Sequence, residues 1–148
     1  MKQSIISFLI LVNFAAHSAN FYVRSGAAGS NNGSDWNNAW TNTTAIIWAG
    51  VAAGDSIWFA GGNYGALVIG ADGAAGNPIS IYRARATNAV PSSAVGWSLA
   101  YDATVRFPNI SAASRKFWTI DGQIPHSGIE VTTPTVIAAH AIYLGAGP

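Results

Sequence analysis

From Gly54 to Gly70 the chain reads GDSIWFAGGNYGALVIG, two short apolar strands of small or β-branched residues on either side of a Gly-Gly-Asn-Tyr-Gly corner. Segments of similar size follow, among them ISIYRA, ATVRFP, KFWTIDG, GIEVTT and HAIYLG, each bounded by Gly, Pro, Asn or Ser. The rhythm predicts strands at Ser56–Phe59, Ala66–Ile69, Ile79–Tyr82, Thr104–Phe107, Phe117–Ile120, Ile129–Val131 and Ala141–Leu144. In Ile79-Ser80-Ile81-Tyr82 the alternation is clean, so Ile79 and Ile81 point inward while Ser80 and Tyr82 point out. The spacing is that of a solenoid, without an exact repeat. At the corner, positive φ is expected for at least one of Gly61, Gly62 and Gly65. Ala84 to Asp102, with Pro91, Ser92, Ser93 and Gly96, is an irregular excursion between strands.

Before the strands the period changes. Trp40, Ile47 and Val51 fall at spacings of seven and four, which predicts one helix over Thr43–Ala53, capped by Thr43 or Thr44 and ended by Gly54. An amphipathic helix placed there would cover the open end of the stack through Ile47 and Val51. Upstream, Phe21-Tyr22-Val23 is β-prone and Ser25 to Trp36 is a Gly-, Asn- and Ser-rich loop. Its Asn31, Asn32 and Asp35 offer oxygens that calcium could use, but Asn and Asp in such a loop ordinarily serve the turn itself, and no cofactor is assigned.

The first nineteen residues are set apart. Lys2, the apolar run Ile5 to Val12 and the small residues around Ala16 to Ala19 form a secretory signal, with cleavage expected after Ser18. The apolar run is well short of the roughly 20 residues of a membrane span. The mature chain is therefore expected to be secreted, extracellular or periplasmic, with no membrane span. It has no cysteine, so its stability must come from burial and backbone pairing. Seven Lys plus Arg against six Asp plus Glu provide no basic surface for nucleic acid.

The aromatic opening, the Gly-rich loop, AGDSIWFAGGNYG and GAAGNPISIYRARA together resemble the N-terminal region of secreted right-handed parallel β-helix proteins, the pectate-lyase-like superfamily. Gly54, Asp55 and Ile57 match that family's Gly-Asp strand, Gly62 and Tyr64 its Gly-x-Tyr corner, and Gly73, Gly76, Asn77, Pro78 and Ile79 its turn and following strand. The likeness covers Phe21 to about Arg85, with KFWTIDGQ as a later echo; Ala53 stands where the family often has Pro. The resemblance implies an all-β fold, a right-handed parallel β-helix with the N-terminal capping helix. Residues 20–148 would be the cap and first coils, and the ending at Gly145-Ala146-Gly147-Pro148 suggests a longer domain. It implies polysaccharide as partner, acted on by lyase or hydrolase chemistry, the alternative being a non-catalytic surface or adhesion solenoid.

The residues show no catalytic set. Arg83 and Arg85, on one face if their strand continues, could grip the carboxylates of an acidic sugar polymer, although a solvated strand face explains them as well. The same holds for Arg115 and Lys116. Trp97, Tyr101 and Trp118 are candidate stacking platforms for sugar rings, core or cap packing being the ordinary role of such residues. Asp121 belongs to an Asp-Gly turn, His126 and Glu130 are too few for zinc, and His140 has no evident partner. Asn32, Asn42 and Asn109 each match the glycosylation acceptor pattern.

Overall fold

Phe21-Tyr22-Val23, Ile57-Trp58-Phe59 and Ile79-Ser80-Ile81 each put their outer members on one side of a strand and the middle residue on the other, and the fold uses both sides. The computed structural model describes residues 18–124 and 128–132. Most of the leader, His126, His140 and the strand expected at Ala141–Leu144 lie outside them. Nine strands follow in order: β1 (Asn20–Val23), β2 (Ser56–Phe59), β3 (Gly62–Asn63), β4 (Leu67–Val68), β5 (Ile79–Arg83), β6 (Val105–Phe107), β7 (Ile110–Ser111), β8 (Trp118–Asp121) and β9 (Ile129–Val131). They make three sheets, ordered β1-β2-β5-β8, β3-β6-β9 and β4-β7, and every strand pair is parallel. From β2 onward the chain visits the first, second and third sheets in turn and then returns to the first. The described residues are thus β-rich, in parallel sheets, with little helix.

Register stacks like on like. Phe21, Ile57, Ile81 and Ile120 form one inward row of the first sheet; Val105 pairs with Ile129 in the second, and Leu67 with Ile110 in the third. Ile57, Phe59, Leu67, Ile79, Ile81, Val105, Phe107 and Ile110 are all buried in one core between the sheets. Complete burial of such a side chain contributes about 1.5–3 kcal/mol, which lets strands of two residues persist.

The motifs at the strand entries explain themselves physically. Gly54 turns with φ +91° and is followed by buried Asp55, whose carboxylate accepts from the Ala19 N–H at 2.8 Å and the Ala52 N–H at 2.7 Å. One level on, Asn77 lies against Gly54 and donates its side-chain amide to the Ala53 carbonyl at 3.1 Å. The Gly-Asp and Gly-Asn-Pro turns are therefore stacked neighbours. At the corner Gly62 has φ +152°, as expected of one of the three glycines. Tyr64 folds back so that its hydroxyl donates to the Ala60 carbonyl at 2.8 Å, and burial raises the phenol's pKa well above its ordinary value.

The helix expected over Thr43–Ala53 is not formed. Two 3-10 turns, Thr43–Ala45 and Trp48–Gly50, flank extended backbone at Ile46. The cap is Asn42 rather than Thr43 or Thr44: its side-chain oxygen accepts from both the Thr44 and Ala45 N–H groups, closing the first turn early. Ile46 and Val51 are buried in the core whereas Ile47 is 55% exposed. The cover expected through Ile47 is therefore not formed, and the contacts at this end of the core are made by Trp40 instead. Trp40 stacks on Phe21 at 5.0 Å and pairs with the free edge of β1, donating its N–H to the Tyr22 carbonyl and accepting from Arg24. The excursion from Ala84 to Asp102 contains one short helix, α1 (Ala89–Ser93), and a 3-10 turn at Leu99–Tyr101.

This placement separates two neighbouring substitutions. Ile47→Asp should change unfolding stability by no more than about 0.5 kcal/mol, and Val51→Asp should cost about 3 kcal/mol or more. Chemical denaturation of the two variants checks it, and a cost of about 3 kcal/mol in both would restore the helical assignment, in which both side chains face the core.

Candidate functional site

The outer side of the four-stranded sheet carries two rows set by register. Tyr22, Trp58, Tyr82 and Asp121 form one; Asn20, Ser56, Ser80 and Thr119 form the other. Each row advances by one strand spacing, about 4.8 Å. Trp58 and Tyr82 stack with ring centres 4.6 Å apart, and the Trp58 indole N–H donates to the Asn20 side chain at 2.9 Å. Thr119 donates its hydroxyl to that of Ser80 at 3.2 Å. The face is therefore a ring platform edged by hydroxyl and amide groups.

Two loops cover its beginning. Trp36 packs edge-on against Tyr22, donates its indole N–H to the Pro91 carbonyl at 2.7 Å and its backbone N–H to the Val95 carbonyl at 3.0 Å. The excursion is thereby drawn onto the N-terminal loop. Trp97 and Tyr101 complete this second apolar cluster around Trp36, with the Arg24 guanidinium 5.5 Å from the Tyr101 ring centre. Tyr22 and Trp58 are buried beneath the cover, Tyr82 and Ser80 are half-buried, and Thr119 and Asp121 are exposed. The open part of the face is thus the quartet Ser80, Tyr82, Thr119 and Asp121.

The residues singled out from the sequence are distributed differently. Arg83 ends β5 and its guanidinium is buried against Asp102 and the Ala103 carbonyl, the latter at 2.8 Å. Burial lowers its pKa, and Asp102 acts in the opposite direction. Because β5 stops at Arg83, the alternation does not carry on to Arg85, and the two do not present one face to solvent. Arg85 instead donates to the Gln123 carbonyl at 2.7 Å. Trp97 and Tyr101 touch each other in the second cluster. Trp118 pairs with Ile79 and packs against the main core, its indole donating to the Arg115 carbonyl at 3.2 Å. Arg115 reaches Asp72 at 3.3 Å, and the Lys116 N–H donates to the same carboxylate at 2.7 Å, which holds its pKa below the ordinary range.

The carboxylates are all occupied. Asp35 accepts from the Asn38 side chain and from the Asn38 and Asn37 N–H groups, bonds that lower its pKa; Asn31 and Asn32 accept from the Thr41 and Ser34 N–H groups. The loop oxygens considered for calcium thus serve the turn. Asp121 accepts from the Gln123 N–H and side chain, as an Asp-Gly turn predicts, and Glu130 is bonded to Arg106 at 2.6 Å. With Asp55, Asp72 and Asp102, that accounts for the six carboxylates of the chain. Among the described residues no group of three or more His, Cys, Asp or Glu side chains is placed to hold a metal ion, and no helix is long and apolar enough to cross a membrane.

No protein-family model matches the chain, and neither curated proteins nor solved structures show a significant similarity to it.

The Arg83 and Asp102 pair fastens the two ends of the excursion, with Asp102 also accepting from the Ala86 N–H at 3.0 Å. Asp102→Ala leaves a buried cation without its partner and should cost about 3 kcal/mol, most of which the double variant Arg83→Met, Asp102→Leu should recover. Thermal and denaturant unfolding of the three proteins measures this. A double variant as unstable as the single one would show that the pair's charges, rather than their mutual satisfaction, hold the loop.

Proposed function

We propose that this chain is a secreted right-handed parallel β-helix of the pectate-lyase-like kind that binds polysaccharide on the outer face of its four-stranded sheet. Support for the architecture comes from the order in which the chain visits its three parallel sheets, together with the stacked Gly-Asp and Gly-Asn-Pro turns. Secretion is supported by the leader pattern alone.

The observation that carries the binding reading is the half-buried Tyr82 ring, backed on one face by Trp58 and flanked by the Ser80 and Thr119 hydroxyls on the open part of the face. A sugar ring has apolar C–H faces and a rim of hydroxyls, so it needs an aromatic plane flanked by groups that both donate and accept. Binding and display are favoured over lyase or hydrolase chemistry at these residues. General acid–base work on a glycosidic bond uses a pair of carboxyl groups, and the open quartet carries one, Asp121.

The test is affinity electrophoresis or pull-down of the full chain with a panel of soluble and insoluble polysaccharides. Tyr82→Leu should weaken binding about tenfold, roughly 1.4 kcal/mol, with the far-UV spectrum unchanged. Binding that is unaffected by Tyr82→Leu and Thr119→Lys alike would place the carbohydrate site elsewhere.

A further inference from the structure

We infer that the polymer this face accepts is uncharged, an inference that rests on the polysaccharide reading above and narrows it. An acidic polymer needs cations at the site, and the fold has spent its arginines on itself. Arg83 is buried on Asp102; Arg106 and Arg115 are paired with Glu130 and Asp72. Arg24 donates to the Trp36 carbonyl at 2.9 Å and lies over Tyr101. Arg85 has one of its terminal nitrogens on the Gln123 carbonyl, and its Nε is buried with no acceptor among the described residues. Its side-on fork is thus closed to a carboxylate and its end-on fork half engaged. Lys116 is exposed, five residues upstream of Asp121 and before the turn into β8.

The charge that does stand on the platform is negative. Asp121 is the register partner of Tyr82, is exposed, and among the described residues takes its hydrogen bonds from the neutral donors of Gln123. A uronate laid on the Tyr82 ring would bring its carboxylate beside the like charge of Asp121. Sugar hydroxyls meet no such obstacle: they can donate to Asp121 and exchange hydrogen bonds in either direction with Ser80 and Thr119.

The experiment measures binding of the full chain to xylan, glucan and galactan as neutral probes, and to polygalacturonate and alginate as acidic ones, at low and high salt. At least one neutral polymer should bind with an affinity that salt leaves unchanged, and the acidic polymers should bind at least tenfold more weakly. Asp121→Asn should narrow that gap by improving the acidic polymers. Tighter binding of an acidic polymer, or affinity that collapses with salt, overturns the inference while leaving the polysaccharide reading in place. Failure to bind any of the five overturns the polysaccharide reading and this inference with it.

Discussion

Parallel pairing between strands that are distant in sequence is the constraint on which the rest depends. Strands as short as Gly62–Asn63 and Leu67–Val68 have no stability of their own, and their N–H and C=O groups can be satisfied only by the strand one level away. The Gly62 N–H finds the Thr104 carbonyl, Tyr64 finds Arg106, and Leu67 finds Asn109. Once those bonds are made, register follows, and it decides which side chains meet. Ile81 can lie between Ile57 and Ile120, and Tyr82 beside Trp58, only because Ser56 pairs with Ser80 and Ser80 with Thr119.

A chain with no cysteine and few charges fixes its corners with the polar groups it has. Asp55 ties the entry of β2 to that of β1, Asn77 ties the next turn to the same place, and Tyr64 ties its corner back to Ala60. Arg83 and Asp102 do the same for the long excursion. The Asp55 and Arg83–Asp102 ties turn their charged groups into the fold, and that shapes what the surface presents. The open part of the sheet is left with the Tyr82 ring, the Ser80 and Thr119 hydroxyls and the negative charge of Asp121. The second cluster around Trp36 sets the boundary of that surface by covering Tyr22 and Trp58 and stopping at Tyr82.

Much of the strand pattern was legible in the sequence because alternation is local. Ile79 to Tyr82 shows its two faces directly, β2 and β9 fall where the apolar runs place them, and the excursion is marked by Pro91 and Gly96. The helix was misread for an equally local reason. The spacing of Trp40, Ile47 and Val51 matches a helical face, yet Asn42 closes a 3-10 turn and Ile46, rather than Ile47, turns inward. The outer row of rings and hydroxyls escapes a reading of single strands because it is a product of register. Tyr22, Trp58 and Tyr82 are 36 and 24 residues apart in sequence, and nothing within any one strand shows that they form a row. The outward position of Tyr82 was the available signal. Arg83 reads locally as a surface cation because its partner Asp102 lies across the whole excursion.

Stacking in register is the claim on which fold, face and ligand reading all stand, and isoleucine methyl groups report on it directly. In the full chain labelled at the isoleucine δ1 methyls, nuclear Overhauser spectra should connect Ile81 to both Ile57 and Ile120, its neighbours on either side, with no direct connection between Ile57 and Ile120. Ile81 connected to neither, or the Cα–H to Cα–H contacts of antiparallel strands between β2 and β5, would contradict the account.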